Sequence, residues 1–379
     1  MSNPYELVKN WFLNSGLVIT DPSDENFGAV HSFYDIKSKS YGFLYPEITG
    51  YAISSCRFLH NIKKDQNLLK IARSSSDWIV NTYHQYVGIV PGIIKNKPAQ
   101  KIAYSFDTAV CAKGMLDCYM ITKEQKYLNY GEQWIGWILD EAMDSDGTIK
   151  PYKNLRTKKF EEDNNVWYKQ KGCLHIKTAI PILQLYQLTK NQTLLEKAIM
   201  ICNTISLYQN KDGSILLHSK NRLVHLHTLC YALEGLLYAY HVVKDENYLN
   251  SCIKALDWCI SKIEDDGSVP LWFNSHHQQS KTSYHIAQLM RIMILVSKIH
   301  DADYQKHVDK LCSFLLTLQV KSQDARVSGS FYEEMFKSIL SWKIRQKINS
   351  WGSMFALQAL YWKENYQKIS FNEAIELLY

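Results

Sequence analysis

Apolar and polar positions recur along this chain at helical spacing, in two kinds of segment that take turns. One kind is apolar almost all round and predicts buried helices at about 48–63, 105–121, 175–189, 226–243, 283–298 and 351–363. The other kind is amphipathic and often carries tryptophan, as at Trp78, Trp134, Trp137 and Trp258. Each amphipathic segment opens on a short polar turn. The turns read Lys64-Asp65-Gln66-Asn67-Leu68-Leu69, Lys123-Glu124-Gln125-Lys126-Tyr127-Leu128 and Lys190-Asn191-Gln192-Thr193-Leu194-Leu195. Lys244-Asp245-Glu246-Asn247-Tyr248-Leu249 follows, with a looser copy at His300-Asp301-Ala302-Asp303-Tyr304. The amphipathic helices stop at Asp146-Gly147-Thr148, Asp212-Gly213-Ser214 and Asp266-Gly267-Ser268, where glycine supplies the positive φ of a tight turn.

Self-similarity at this period predicts a repeat architecture. Six apolar helices alternating with amphipathic ones read as an all-α ring of six helical hairpins, apolar set inside and amphipathic set outside. Residues 1–44 supply the first outer helix and a closing loop, and 45–379 the hairpin repeats. No linker rich in Pro, Gly or Ser divides the chain, so one domain over 1–379 is expected. Strand-like alternation is scarce, and any sheet should be small and peripheral.

Composition narrows the picture. Hydrophobic residues make up 46% and aromatic residues 13% of 379, enough for a large core and a ring-lined cleft, and the 21% of charged residues are mixed in sign. The net charge of +6 arises from 43 Lys and Arg against 37 Asp and Glu and is scattered, as in Arg156-Thr157-Lys158-Lys159. No basic stripe for nucleic acid follows from it, although a weak attraction for acidic glycans does. The nine cysteines form no CxxC pair, and several (Cys111, Cys118, Cys202, Cys230, Cys252, Cys259) fall on apolar helix faces, which fits a reducing compartment. The first residues lack a signal-peptide pattern and no apolar run is long enough to span a bilayer, so a cytoplasmic, soluble protein is expected.

Candidate chemistry collects where the chain runs into the six apolar helices. Tyr45-Pro46-Glu47-Ile48-Thr49-Gly50-Tyr51 places a carboxylate near a helix N-terminus, where unsatisfied N–H groups favour anions. The next lead-ins hold Tyr104, Ser105 and Asp107; His175 and Lys177; His225, His227 and Tyr231. The last two hold Ser283, Tyr284 and His285, and Ser350 and Trp351. Simple caps would be mostly Ser, Thr, Asp and Asn, so the excess of His and Tyr is informative. Glu47 and Asp107 read equally as caps or as working carboxylates. His227, Tyr231 and Glu234 share one helix face, as a buried network or as a site. His175 and His285 suit satisfied structural histidines as well as ligand contacts, and Trp272, Trp342 and Trp351 suit the core as well as a sugar ring. The pairs His276-His277 and His225-x-His227 lack the partners of a zinc motif, and no P-loop or GxGxxG occurs, so no metal and no cofactor are expected. Ser328-Gly329-Ser330 is not a nucleophile elbow.

On these residues the chain resembles the six-hairpin (α/α)6-toroid carbohydrate-active proteins. It is most similar to a group with squalene-cyclase-like repeats associated with surface-polysaccharide gene clusters. The resemblance is carried by Tyr45 to Tyr51, by Phe106-Asp107-Thr108, and by His227-Thr228 with Tyr231-Ala232-Leu233-Glu234-Gly235-Leu236. Ser328-Gly329-Ser330 and Trp351-Gly352-Ser353-Met354-Phe355-Ala356 complete it. It implies an (α/α)6 toroid and a part in glycan assembly or processing, with an oligo- or polysaccharide as partner. The Asp-rich acid motif of terpenoid cyclases is missing, which sets an isoprenoid cyclase-like activity apart as the remotest reading.

The leading expectation is a glycoside hydrolase in which Glu47 and Asp107 supply the acid and the base or nucleophile, with Tyr45, Tyr104 and Trp351 against the sugar. A rival is a uronate or hexosamine epimerase, or a polysaccharide lyase. In it His175, Lys177, His227, Tyr231 and His285 move a carbon-bound proton, with Tyr284 and Trp272 lining the site. A non-catalytic glycan-binding or assembly protein is the third reading.

Overall fold

A computed structural model of the chain describes residues 3–84, 90 and 102–379. The helices among them are α1 (Pro4–Asn14), α2 (Pro46–Ile62), α3 (Gln66–Tyr83), α4 (Ser105–Thr122), α5 (Gln125–Trp137), α6 (Ala179–Thr189), α7 (Gln192–Asn203), α8 (Leu226–Val243), α9 (Glu246–Ile260), α10 (Ser283–Val296), α11 (Gln305–Thr317), α12 (Ser350–Glu364) and α13 (Phe371–Glu376). The strands are β1 (Phe33–Asp35), β2 (Ser40–Tyr41), β3 (Ile102–Tyr104), β4 (Tyr152–Asn154), β5 (Phe160–Glu161), β6 (Val224–His225), β7 (Trp272–Phe273), β8 (Ser280–Thr282), β9 (Glu334–Lys337), β10 (Trp342–Ile344) and β11 (Lys347–Asn349). The six apolar helices of the sequence are α2, α4, α6, α8, α10 and α12.

The chain divides into two compact units. Unit one comprises Met1–Leu17, Phe33–Gly42 and Leu207–Leu378; unit two comprises Val18–Ser32, Phe43–Ser206 and Tyr379. In unit two, α2, α4 and α6 lie side by side, with α3, α5 and α7 packed outside them. In unit one, α10 lies between α8 and α12, with α9 and α11 outside, and α1 packs on α12. Of the 1–44 segment, residues 3–44 are described, and α1 is the outer helix expected there.

The polar repeats mark the boundary between an inner helix and the outer helix that follows. Lys123, Lys190 and Lys244 close α4, α6 and α8 in the left-handed conformation, at φ 62°, 61° and 61°. Their main-chain N–H groups donate to Tyr119, Tyr186 and Tyr240, and each ammonium lies over that same tyrosine ring at 5.4–5.9 Å. The residue after Lys190 or Lys244 opens the outer helix. Asn191 and Asp245 accept from the N–H two residues on, as Asp65 does at α3. The Asp-Gly turns then close on a neighbouring outer helix. Gly213 has φ 91°, and a Cβ there would stand 2.1 Å from the Lys254 carbonyl oxygen of α9, so both conformation and space demand glycine. Gly147 and Gly267 repeat this contact against α7 and α11.

The strands are short, as expected, and they run straight into inner helices. β3 leads into α4, β6 into α8, β8 into α10 and β11 into α12. Their pairings β3–β4, β6–β7, β8–β9 and β1–β11 fix where each inner helix begins. One predicted helix start moves. Residues 173–178 form a 3₁₀ turn, and α6 begins at Ala179 rather than at 175. Pro181 has no N–H to give to the Lys177 carbonyl, so regular α-helical bonding cannot extend further back.

Candidate functional site

Unit two brings the two predicted carboxylates together through a close helix crossing. A Cβ on Gly50 would meet the Val110 carbonyl oxygen at 2.9 Å, and one on Gly114 would stand 3.1 Å from the Gly50 Cα. With no side chain between them, α2 and α4 touch backbone to backbone. Their first turns, carrying Glu47 and Asp107, therefore stand next to each other. The Tyr45 hydroxyl donates to Asp107 Oδ2 at 2.7 Å. The N-cap residues of both helices, Tyr45 and Tyr104, make no side-chain cap bond, so Asp107 is engaged by a phenol across the crossing rather than by an N-cap exchange.

Two effects compete at these carboxylates. Helix N-termini favour the anion, whereas burial disfavours it. Burial wins. It raises the Asp107 carboxyl to about 7, against the lowering effect of the Tyr45 hydroxyl. Glu47 is raised well above the ordinary carboxylate range, by burial first and by the Asp107 charge second, with Lys177 and Tyr45 opposing. Burial and the two carboxylates likewise push the Tyr45 phenol well up, so it stays a proton donor. Two carboxyl groups, both raised by burial, thus stand around one phenol.

The predicted neighbours in unit two divide by role. The buried Lys177 sits on the 3₁₀ turn with its ammonium 5.2 Å from the Tyr51 ring, and its charge moderates Glu47. His175 is buried with its ring tilted against Phe106 at 6.4 Å. Burial pulls its pKa down to about 4 despite the Gln170 main chain, which keeps the ring neutral. Tyr104 is buried and stands edge to face with Tyr168 at 6.0 Å. Tyr168 is 43% exposed and feels the Asp107 charge, so it offers an open ring beside the pair. Sequence reasoning missed Tyr168. Its one signal was the Trp167-Tyr168 doublet inside an otherwise polar loop.

Behind the pair lies an ion cluster that the sequence did not disclose. Asp117 accepts from Lys113 at 2.7 and 2.8 Å, from Arg57 at 2.5 Å and from Gln184 at 2.9 Å, with all four side chains buried. Burial alone would raise Asp117, but Lys113 and Arg57 outweigh it and hold the carboxyl at about 2. A small apolar-walled cavity is bounded by Tyr51, Phe106, Lys177 and Thr178 and by Lys113 of this cluster.

Unit one holds the second predicted group. His227, in the first turn of α8, packs its ring 4.3 Å from Tyr231 and 4.6 Å from Tyr284, and its Nδ1 bonds to Gln288 Oε1. Gln288 donates onward to Glu234 at 3.3 Å. Arg291 bonds Glu234 at 2.5 Å and Gln358 at 2.9 Å. Glu234 and Arg291 are wholly buried, so Glu234 supports the histidine from within a network rather than facing a ligand. Tyr284 and Trp351, both half-buried, stand 5.9 Å apart, and Trp272 lies between His225 and His277 at 4.3 Å from each. His285 differs. Its Nε2 donates to the Val269 carbonyl at 2.9 Å and its Nδ1 accepts from Thr282 at 2.5 Å. With both nitrogens engaged, and burial pulling the pKa to about 3, His285 is a fixed neutral strut. The sequence missed Gln288 and Arg291, whose α10 positions carry polar groups on an otherwise apolar helix. Among the described residues, no three His, Cys, Asp or Glu side chains converge so as to hold a metal ion.

No family model matches the chain, and no curated protein is detectably similar to it in sequence. Solved structures do match its shape. A cellobiose 2-epimerase from Bacillus thermoamylovorans B4167 superposes with a TM-score of 0.77 at 14% identity, over 94% of this chain and 96% of that one. A D-mannose isomerase matches with a TM-score of 0.78 at 11% identity, over 97% of each chain. An unsaturated glucuronyl hydrolase specific for heparin matches with a TM-score of 0.70 at 12% identity, over 97% and 98%. The chain has the (α/α)6 toroid fold. At such low identity the likeness establishes architecture alone.

Proposed function

We propose that the protein is a carbohydrate-active enzyme that hydrolyses a glycosidic bond, using Glu47 as the acid and Asp107 as the base. One observation carries this reading: the two carboxyls flank the Tyr45 hydroxyl where α2 and α4 touch, and burial raises both above the ordinary carboxylate range. Glu47, raised by burial and by the Asp107 charge, delivers a proton to the leaving glycosidic oxygen. Asp107, ionised above about pH 7, takes a proton from water as that water attacks the anomeric carbon. The sum is one glycosidic bond and one water consumed, two hydroxyl-bearing sugars formed, and both carboxyls reset by proton exchange. Tyr168 provides an open ring for a sugar face. The fold is shared with sugar hydrolases, epimerases and isomerases, which supports a saccharide substrate. A place in surface-polysaccharide metabolism follows from the motif resemblance.

A second reading rests on His227. Its ring lies between Tyr231 and Tyr284 and is held by the Gln288–Glu234–Arg291 chain, an orientation suited to moving a carbon-bound proton in epimerisation. One experiment separates the two. The protein is incubated with acidic and neutral oligosaccharides in deuterated water and followed by NMR. New reducing ends without carbon-bound deuterium support the carboxylate pair. Deuterium at a sugar carbon without cleavage supports His227 and sinks the hydrolytic reading.

A further inference from the structure

The β9–β10 hairpin of unit one ends in a feature that neither site uses. Its turn is closed by the Ser338 N–H donating to the Ser341 carbonyl at 2.8 Å, and the two residues at the tip are Ile339 and Leu340. They are 99% and 95% exposed. Hairpin tips are normally Gly, Asn, Asp or Ser, which serve the turn and welcome water; two aliphatic side chains serve neither end. Trp342 begins the returning strand, 37% exposed and paired in register with Lys337, while Lys343 pairs with Phe336.

Charge along the hairpin is graded. Near its base, Arg345 pairs with Glu334 at 2.5 Å and Lys347 with Glu333 at 3.4 Å. Near the tip, Lys337 and Lys343 are exposed and make no ion pair among the described residues. The projection is held firmly. Lys281, itself bound to Glu264 at 2.6 Å, places its ammonium 4.6 Å from the Trp342 ring, and β9 is paired on both sides.

We propose that this hairpin docks the protein reversibly on a lipid surface bearing anionic headgroups. Ile339 and Leu340 enter the acyl boundary, Trp342 sits at headgroup level, and Lys337 and Lys343 meet the lipid charges. Charge complementarity selects this occupant over a second copy of the chain. A two-fold contact at the tip would set Lys337 and Lys343 against the same cations, whereas anionic headgroups match them. The attachment is peripheral: among the described residues no helix is long and apolar enough to cross a membrane.

The test is sedimentation of the full chain with vesicles of phosphatidylcholine alone and of phosphatidylcholine with phosphatidylglycerol in equal parts. The expected result is binding to the anionic vesicles that weakens with salt. The double variant Ile339→Ser with Leu340→Ser should lose it by about tenfold or more, since both aliphatic insertions are gone. Lys337→Gln with Lys343→Gln should remove the preference for phosphatidylglycerol. All four positions are exposed, so circular dichroism should be unchanged. No wild-type binding to either vesicle, or equal binding by the serine variant, overturns the proposal. So does self-association in sedimentation velocity that the serine variant abolishes while vesicles remain unbound.

Discussion

The Tyr45 hydroxyl donates to Asp107 Oδ2 at 2.7 Å, across 62 residues of sequence and across the contact of α2 with α4. This bond sets how strongly Asp107 holds its proton. Burial raises the carboxyl, and the phenol brings it back to about 7. Tyr45→Phe removes the donor and leaves the burial. The acidic limb of the pH–rate profile, expected near pH 7 in the wild type, should therefore move to higher pH. An unmoved limb would show that another group sets it.

Removing either carboxyl should stop turnover. Asp107→Asn and Glu47→Gln are each expected to lose at least about a hundredfold in rate, the usual scale for acid–base catalysis. Reducing-end release from the best substrate of the NMR panel is the measurement. Retained activity in both variants would take this pair out of the mechanism.

The same carboxyls should weaken the fold. Their pKa values are raised in the folded state, so their stabilising contribution is complete below the unfolded value and is lost as pH rises through the folded one. For Asp107 that window runs from the ordinary aspartate value of 3.8 up to about 7. Asp107→Asn should accordingly be more stable than the wild type above pH 7, by on the order of 1–2 kcal/mol, the common scale of an activity–stability exchange. The advantage should vanish below about pH 4, where the wild-type carboxyl is protonated in both states. Denaturant midpoints at the two pH values check the sign.

Glu234→Gln strikes the buried network of unit one. It leaves the wholly buried Arg291 without its carboxylate at 2.5 Å. Breaking one side of a buried ion pair costs about 3–5 kcal/mol, and urea unfolding should show a loss of that size. A loss under about 0.5 kcal/mol, typical of a neutral surface change, would show that the pair contributes little.

Lys244→Gly tests the repeated helix stop. Lys244 holds φ 61°, which glycine adopts without a Cβ clash, yet its ammonium also rests 5.4 Å from the Tyr240 ring. Relief of the left-handed strain should dominate the exposed cation–π contact, giving a gain of up to about 1 kcal/mol. A net loss in thermal unfolding would mean that the tyrosine contact outweighs the strain.

Much of the architecture was legible because it is local. The apolar segment predicted at 226–243 is α8 to the residue, and the one at 105–121 differs from α4 by one. Such segments announce themselves because a helix buried on most sides must be apolar on most sides. The Lys190-Asn191 and Lys244-Asp245 doublets mark helix boundaries for an equally local reason, a left-handed stop followed by a side-chain cap. The Asp-Gly turns were visible as turns, but their contacts with neighbouring outer helices were not.

By itself, then, the sequence determined the alternating helices, most of their boundaries (the start of α6 excepted) and the lead-ins where polar residues gather, since each depends on neighbours a few positions apart. Tertiary structure decided what those polar residues are. It joined Tyr45 to Asp107 by letting Gly50 and Gly114 bring two backbones into contact, and it locked both nitrogens of His285 into the protein. It also turned Glu234 inward to Arg291 and placed the exposed ring of Tyr168 beside Tyr104. Protonation, hydrogen-bond pairing and access to solvent depend on distances and burial between residues far apart in the chain, and no spacing along a sequence encodes them.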